Sequence, residues 1–301
     1  RESEDKIYFV EHMAQAKRYF TALGIAALYA KEMTPELIAE VLEKTATEKS
    51  EDKYHIKYWD IEKLFKELYK SEYPKSEIAK LELKYIPILA SVGSRRAPKM
   101  LHDALANDPE FFAEIIRYIY KRKDGKQDEG EEKITQKRLE QRGKLSWRLI
   151  KSWKTIPCSG NNGQIDYEKL KSWIDKAREL CEKSDRITAC DKQIGKVLAY
   201  AEPEDEIWPP EAVCKIIESI ESEELHRGFK IGTENKRGTT MRALDEGGKQ
   251  EAELANKFRG YAEILNTRFP KTASILNSIA EDYENEAKIW NEEVEKRDLD
   301  Y

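Results

Sequence analysis

The sequence has few of the residues that build sheets, metal sites or disulfide frameworks. Its 301 residues include four cysteines, none of them in a CxxC pair, and four scattered histidines. Neither a zinc cluster nor a disulfide-stabilised scaffold is therefore expected. Only six valines occur, and no stretch alternates between apolar and polar residues as a half-buried strand does. These shortages argue against a β-sheet protein, and no metal or cofactor is expected.

Long apolar runs are also missing. The best stretch, Phe20 to Ala30, is far shorter than the roughly 18 to 20 residues that cross a bilayer. Hydrophobic residues make up 40% and charged residues 37% of the chain, with a mean hydropathy of −0.78. Enough apolar side chains remain for a core, which excludes wholesale disorder. The chain starts at Arg1 without a signal sequence, which predicts an excised or processed protein in the reducing cytoplasm.

The residues that are abundant favour helices. Leu, Ile, Ala, Glu and Lys dominate, and apolar residues recur at helical spacing from Tyr8 to Ala30. Thr34-Pro35-Glu36 and Asp108-Pro109-Glu110 each combine an N-cap, a first-turn proline and an acid near the positive helix end. We predict an all-α fold of stacked antiparallel helix pairs, either solenoid-like or an irregular multi-helix bundle. No repeat signature of a known solenoid family is present.

One polar segment marks the expected domain boundary. Residues 121–132 carry no apolar side chain and contain two glycines, which predicts a mobile loop that buries nothing and is cut first by proteases. The predicted division is an N-terminal helical subdomain at 1–123 and a C-terminal helical subdomain at 133–301, joined by a linker at 124–132.

A basic segment stands out although the net charge of −5 argues against coating nucleic acid by bulk charge. Between Lys133 and Lys154, eight basic residues face one acid, and Leu145, Leu149 and Trp153 share one helical face. Such a cationic helix could bind nucleic acid, an acidic partner or an anionic membrane, or simply face water. The candidate residues are Lys137, Arg138, Arg142, Arg148 and Lys151.

A second basic segment runs from His226 to Arg242 and contains three glycines. Because glycines allow left-handed turns and close approach of backbone N–H groups, the segment predicts a long loop that contacts an anionic, phosphate-bearing group. It lacks the Walker pattern. The alternative is that Arg237 or Arg242 joins two helices through a buried carboxylate. The candidate ligand-binding residues are Arg227, Lys230, Asn235, Lys236, Arg237 and Arg242.

Other chemistry-bearing residues favour packing roles. Cys181 and Cys190 are expected to be small buried hydrophobes, and an enzyme would have to assemble His226, Asp245 or Glu246 with Arg237. The tryptophans at apolar helical positions are expected in the core or between helices. These are Trp147, Trp153, Trp173, Trp208 and Trp290.

Three stretches together resemble a family. They are KLELKYIPIL with LHDALANDPEFFAEIIRYIY, then ACDKQIGKVLAYAEPEDEIWPPEAVCKIIE, then GFKIGTENKRGTTMRALDEGGKQEAELANKFRGYAEIL. They are similar to the C-terminal helical regions of large bacterial multidomain proteins, including STAND and NACHT-like proteins of phage defence. The resemblance implies a helical sensor or scaffold that works with an effector or nucleotide-hydrolysing domain outside this chain. It implies no catalytic residue.

Three functions follow as expectations. The first is a non-enzymatic recognition module that binds a protein or nucleic-acid ligand, and no membrane partner is expected. The second is a nucleic-acid-binding protein that uses the 133–154 helix and the 227–242 loop, with an affinity that falls steeply with salt. The third is an enzyme of unrecognised type, which predicts a buried polar pocket with perturbed titration.

Overall fold

The fold is all-α, as predicted. The computed structural model describes residues 2–48, 57–91, 97–128, 134–160, 163–238, 240–243 and 245–299. Over these ranges the chain forms fourteen α-helices and one short 3-10 turn at Ala30–Glu32, and the only extended pairings are two isolated bridges. None of the helices described is both long enough and apolar enough to cross a bilayer.

The helices have the following bounds. They are α1 Glu2–Gln15, α2 Tyr19–Leu28, α3 Pro35–Thr47, α4 Tyr58–Leu68, α5 Lys75–Leu89, α6 Lys99–Asn107, α7 Pro109–Ile119, α8 Gln136–Ser152, α9 Tyr167–Lys183, α10 Ile187–Leu198, α11 Glu211–Ser219, α12 Glu223–Arg237, α13 Lys249–Leu265 and α14 Pro270–Leu299.

The two predicted cap signatures are confirmed. The Thr34 hydroxyl accepts a hydrogen bond from the Leu37 backbone N–H at 3.3 Å, and α3 begins at the following proline. Asp108 Oδ1 accepts from the N–H groups of Glu110 and Phe111 at 2.9 and 3.1 Å at the start of α7. Both caps satisfy N–H groups that have no partner inside the helix.

The chain divides into two compact units. One consists of Arg1–Ala104 with Ile134–Trp153, and the other of Leu105–Lys133 with Lys154–Tyr301. This division differs from the predicted single break at 124–132, because α8 packs on α5 in the first unit while α7 packs on α9 in the second. His102 Nε2 lies 3.0 Å from Ser152 Oγ and adds a polar contact between α6 and α8.

The core of the first unit comes from the apolar faces of α1 to α5. The Phe65 and Tyr85 rings meet edge to face, with centroids 5.7 Å apart, and the Tyr85 hydroxyl donates to the Leu42 carbonyl at 2.8 Å. Aromatic contacts of this geometry add to the free energy gained from burial alone.

One carboxylate is buried in the first unit. Glu82 accepts hydrogen bonds from the Tyr69 hydroxyl at 2.6 Å and from the backbone N–H groups of Met100 and Leu101 at 3.0 and 2.8 Å. It therefore caps α6 from α5. Burial raises the pKa of Glu82 to about 7, although these hydrogen bonds act in the opposite direction.

The 121–132 segment does contribute a buried group, which corrects the prediction that it buries nothing. Asp128 is buried and receives both Nη atoms of Arg186, at 3.1 and 2.5 Å. Arg186 also donates from Nε to the Tyr120 carbonyl at 2.6 Å. A polar residue can be buried in this way when a two-pronged ion pair satisfies its charge. Residues 129–133 lie outside the described part.

The packing predictions for cysteine and tryptophan hold with one exception. Cys181 and Cys190 are buried, as are three of the five tryptophans, and Trp290 is half-buried. Trp147 is 45% exposed, so the prediction of a packing role is wrong for it. The buried residues of α8 are Ser146, Leu149 and Ile150, and the helical period places Trp147 on another side of the helix.

Candidate functional site

The segment predicted as a glycine-rich loop is mostly a helix. α12 runs from Glu223 to Arg237 and only Gly238, at φ +72°, ends it in the left-handed region. The Ser222 hydroxyl caps the helix by accepting from the Leu225 N–H at 3.3 Å. The prediction of a loop over 226–237 is therefore wrong.

The glycines of α12 serve helix packing. A Cβ on Gly228 would overlap the carbonyl of Lys192, and a Cβ on Gly232 would overlap that of Lys196, both on α10. In return, a Cβ on Gly195 of α10 would overlap the α12 backbone at the Leu225 carbonyl. Small residues four apart let two helix backbones come close. The close approach that glycine allows here is thus to another helix.

Arg237 and Arg242 both pair with one buried carboxylate, which is the alternative the sequence left open. Glu251 on α13 is only 1% exposed, and its Oε1 accepts from Nη2 of both arginines, at 2.6 Å for Arg242. Burial acts to raise the pKa of Glu251, but the hydrogen bonds from the arginines outweigh it and hold the pKa below its ordinary value. The Arg242 guanidinium also lies over the Trp290 ring at 4.0 Å.

The other four candidates of this segment divide between packing and the surface. Lys230 donates to Ser278 Oγ at 2.9 Å and pairs with Asp282, so it connects α12 to α14. Arg227 and Asn235 are exposed. Lys236 is exposed too, and its Nζ lies 3.4 Å from the Ala201 carbonyl and 5.8 Å from the Trp208 ring centroid.

The constellation required for the enzyme hypothesis is not assembled. His226 and Arg237 lie on the same helix, and the helical rise separates them by about 16 Å along its axis. Glu246 Oε2 accepts from the Ala243 N–H at 3.1 Å and its Oε1 from Gln250 at 2.8 Å. Over the described ranges, no group of three His, Cys, Asp or Glu side chains could hold a metal ion.

The five candidates of the basic helix are all exposed on α8. At 100° per residue, Lys137, Lys144, Arg148 and Lys151 fall within about 60° of one another, opposite the buried face, along about 21 Å of the helix. We call these four residues the basic stripe. With the described residues, none of the four makes an ion pair. Arg138 and Arg142 lie about 110° and 150° from the middle of the stripe, nearer to the direction of Leu149.

An exposed aromatic ring flanks the stripe. Trp147 lies within about 60° of Lys144 and Lys151 on the helical wheel, and nearly half of its side chain faces solvent. Glu140, the only acid in α8, accepts a hydrogen bond from Gln136 at 3.3 Å near the start of the helix. Sequence reasoning missed Trp147 because it counted this residue among the apolar positions of the helix, whereas the helical period turns it away from Ser146 and Leu149.

The second unit also contains a cavity of about 230 Å³ between α12, α13 and α14. Its walls include the aromatic rings of Trp208, Phe258, Tyr261 and Tyr283. The cations at its edge are Lys236, Arg237 and Lys257. No signal in the sequence predicts this cavity, since the residues that line it are spread from 203 to 283.

Comparison with known proteins finds no relationship. No protein-family model matches the sequence, and no curated protein or solved structure shows significant similarity to it. The resemblance to bacterial multidomain proteins stays a prediction, and function has to be argued from the site itself.

Proposed function

We propose that this chain is a recognition module that binds single-stranded nucleic acid along α8. The observation that carries the proposal is the basic stripe, which presents four exposed cations over about 21 Å with no ion-pair partner among the described residues. Structural lysines and arginines are usually matched by a nearby acid, as Arg237 is by Glu251. Cations left unmatched at one surface favour an anionic ligand.

The neighbouring tryptophan favours a single strand over a duplex. Unstacked bases can stack on an exposed aromatic ring, and each such contact contributes about 1 to 3 kcal/mol without demanding a particular base. Trp147 lies where a base could stack while the stripe contacts the adjacent phosphates. In this proposal the binding event is passed to an effector or nucleotide-hydrolysing domain outside this chain, as the resemblance implies.

The test is fluorescence anisotropy with labelled single-stranded and double-stranded oligonucleotides over a range of salt concentrations. Four phosphate contacts predict a slope of log affinity against log salt of about −3 for a single strand. Replacing Lys144, Arg148 and Lys151 together with Gln should reduce the size of this slope by about 2. Replacing Trp147 with Ala should weaken single-strand binding without changing the slope.

A charge-matched control uses α9. Lys169 and Lys183 are exposed and Lys176 is half-exposed. All three belong to the second unit and pair with acids of α9 or its N-cap, and replacing them with Gln removes the same charge. The proposal requires that this variant bind almost as the parent does. Equal weakening by the two triple variants would mean that only bulk charge matters. Binding of anionic vesicles or an acidic protein, with no binding of oligonucleotides, would also contradict the proposal.

A further inference from the structure

We infer that the cavity of the second unit binds a small organic anion in which one or two planar rings carry the charged group. The site is separate from α8 and does not depend on nucleic-acid binding. Three features support it: aromatic walls, two lysines that make no ion pair with a described residue, and a volume that fits such a ligand.

The walls suit a flat ring. Trp208 and Phe258 meet edge to face with centroids 5.9 Å apart, and Phe258 stacks on Tyr283 at 5.8 Å with only 4° between the ring planes. Tyr261 adds an edge contact to Phe258 at 6.5 Å. These contacts hold the aromatic side chains in place, so the cavity is formed before a ligand enters. Offset stacking and edge contacts are also how such walls would hold a planar ligand.

The charge at the edge comes from two lysines. Lys236 and Lys257 line the cavity, and neither makes an ion pair with a described residue. Burial lowers the pKa of Lys236; Glu202 acts against that shift, and the neighbouring Lys257 adds to it. An anion placed between the two ammonium groups would relieve their mutual repulsion.

The arginine and the threonine of the lining are already engaged. Arg237 is bound to Glu251 and lies 3.5 Å from Glu286, and the Thr233 hydroxyl donates to the Phe229 carbonyl at 2.9 Å. An incoming anion would therefore meet the lysines first. This arrangement, apolar walls with a few charged groups at one side, is typical of small-molecule sites.

The volume limits the size of the ligand. A cavity of about 150 Å³ holds benzene in an engineered protein, so about 230 Å³ accommodates one or two fused rings with a short acidic arm. A whole nucleotide with its sugar exceeds this size. Carboxylates and phosphates are both anions that could pair with the lysines, so the acidic group of the ligand is either a carboxylate or a phosphate.

The experiment is isothermal titration of the whole chain with three probes that share one ring system. Indole-3-acetate is an anion, indole-3-acetamide is its neutral analogue and tryptamine carries the opposite charge. We expect binding in the order acetate, amide, tryptamine, with the acetate at least about fivefold tighter than the amide, since one charge pair at a half-exposed site contributes about that much. Equal binding of acetate and amide would overturn the inference, as would no binding of any probe at millimolar concentration.

Variants locate the site. Lys236→Gln and Lys257→Gln should each weaken acetate binding by about fivefold, whereas Lys288→Gln, an exposed lysine of α14 away from the lining, should not. Leu254→Trp should fill the cavity and abolish binding, with far-UV circular dichroism confirming that the variant is folded. If Lys288→Gln weakens binding as much as the lining variants, the cavity is not the site.

Phenyl phosphate and benzoate then distinguish the two acidic groups. Tighter binding of phenyl phosphate assigns the site to aryl phosphates, and tighter binding of benzoate assigns it to aryl carboxylates. The inference requires that Lys236→Gln weaken whichever binds better. If that variant leaves both unchanged, the lysines do not hold the anion and the inference fails.

Discussion

The contact of two arginines with Glu251 predicts a large loss of stability when the carboxylate is removed. Glu251 is 1% exposed, and the side chains of Arg237 and Arg242 are 18% and 16% exposed. Breaking a buried pair by removing one partner costs about 3 to 5 kcal/mol, because the remaining charge stays desolvated. For Glu251→Ala we expect the free energy of unfolding to fall by about this amount, since two guanidinium groups lose their shared partner.

The arginine variants should cost less individually. Arg237→Ala leaves Glu251 bonded to Arg242, so the loss is about 2 kcal/mol, near the value of one hydrogen bond to a charged group. The double variant Arg237→Ala, Arg242→Ala should cost more than the sum of the single changes, because only then is the carboxylate left unpaired. Urea denaturation followed by far-UV circular dichroism measures all of these. Arg259→Ala is the matched control: it breaks an exposed pair with Glu284 and should change stability little.

The pH dependence of the free energy of unfolding provides an independent check on the direction of the Glu251 pKa shift. In the parent protein the pKa of Glu251 is held below its ordinary value. Its contribution to the free energy of unfolding is therefore present above the pKa of the unfolded state and is lost as the pH falls through the pKa of the folded state. In the double arginine variant, burial without partners raises that pKa, and the contribution is lost as pH rises instead. If Arg237→Ala changes the free energy of unfolding by less than about 0.5 kcal/mol, the arginines are surface groups and the reasoning is refuted.

Three further predictions test other parts of the fold. Gly232→Ala should destabilise the second unit by about 1 to 3 kcal/mol or more through overlap with α10, while Gly260→Ala, with open space around it, should stabilise α13 slightly; thermal melting compares the two. The pKa of Glu82 is raised from 4.5 to about 7, so its contribution to the free energy of unfolding is complete below pH 4.5 and is lost as the pH rises through 7. Glu82→Gln should therefore flatten the decline in the free energy of unfolding between these pH values, as measured by urea denaturation. Asp128→Asn leaves a buried guanidinium without its charge partner, so tryptic cleavage after the exposed Lys126 should be faster than in the parent; an unchanged rate would mean that the pair does not hold this segment.

Local signals predicted the helices well because they act within one turn. The N-caps at Thr34 and Asp108 are each satisfied by N–H groups two or three residues away, so the sequence alone contains both partners. The same holds for the apolar spacing of α7, whose buried residues Phe112, Ile115 and Ile116 lie three and four apart. Propensity and capping agree in these segments, and nothing distant overrides them.

Features that depend on distant partners could not be predicted. A solvent-exposed glycine weakens a helix, but Gly228 and Gly232 lie against the backbone of α10. The α10 residues that they contact are more than thirty positions away in the sequence. The assignment of α8 to the first unit depends on its packing on α5. Glu251 lies on the helix after the one that carries Arg237. The sequence could therefore offer a buried carboxylate partner only as an alternative, and it could not identify that partner as Glu251.

Charged residues that have a structural partner differ from those that have no ion pair, and only the second group points to a functional site. Glycines and arginines of α12 looked like a ligand loop, yet contacts with Lys192, Lys196 and Glu251 account for most of them. A charged side chain whose position is explained by a structural partner gives no evidence of a ligand, since removing it would destabilise the fold first. The basic stripe of α8 and the two lysines of the cavity make no ion pair with a described residue, although Lys236 also donates to the Ala201 carbonyl at 3.4 Å. Changes there should leave the free energy of unfolding almost unaltered while binding falls, a combination that packing residues cannot produce.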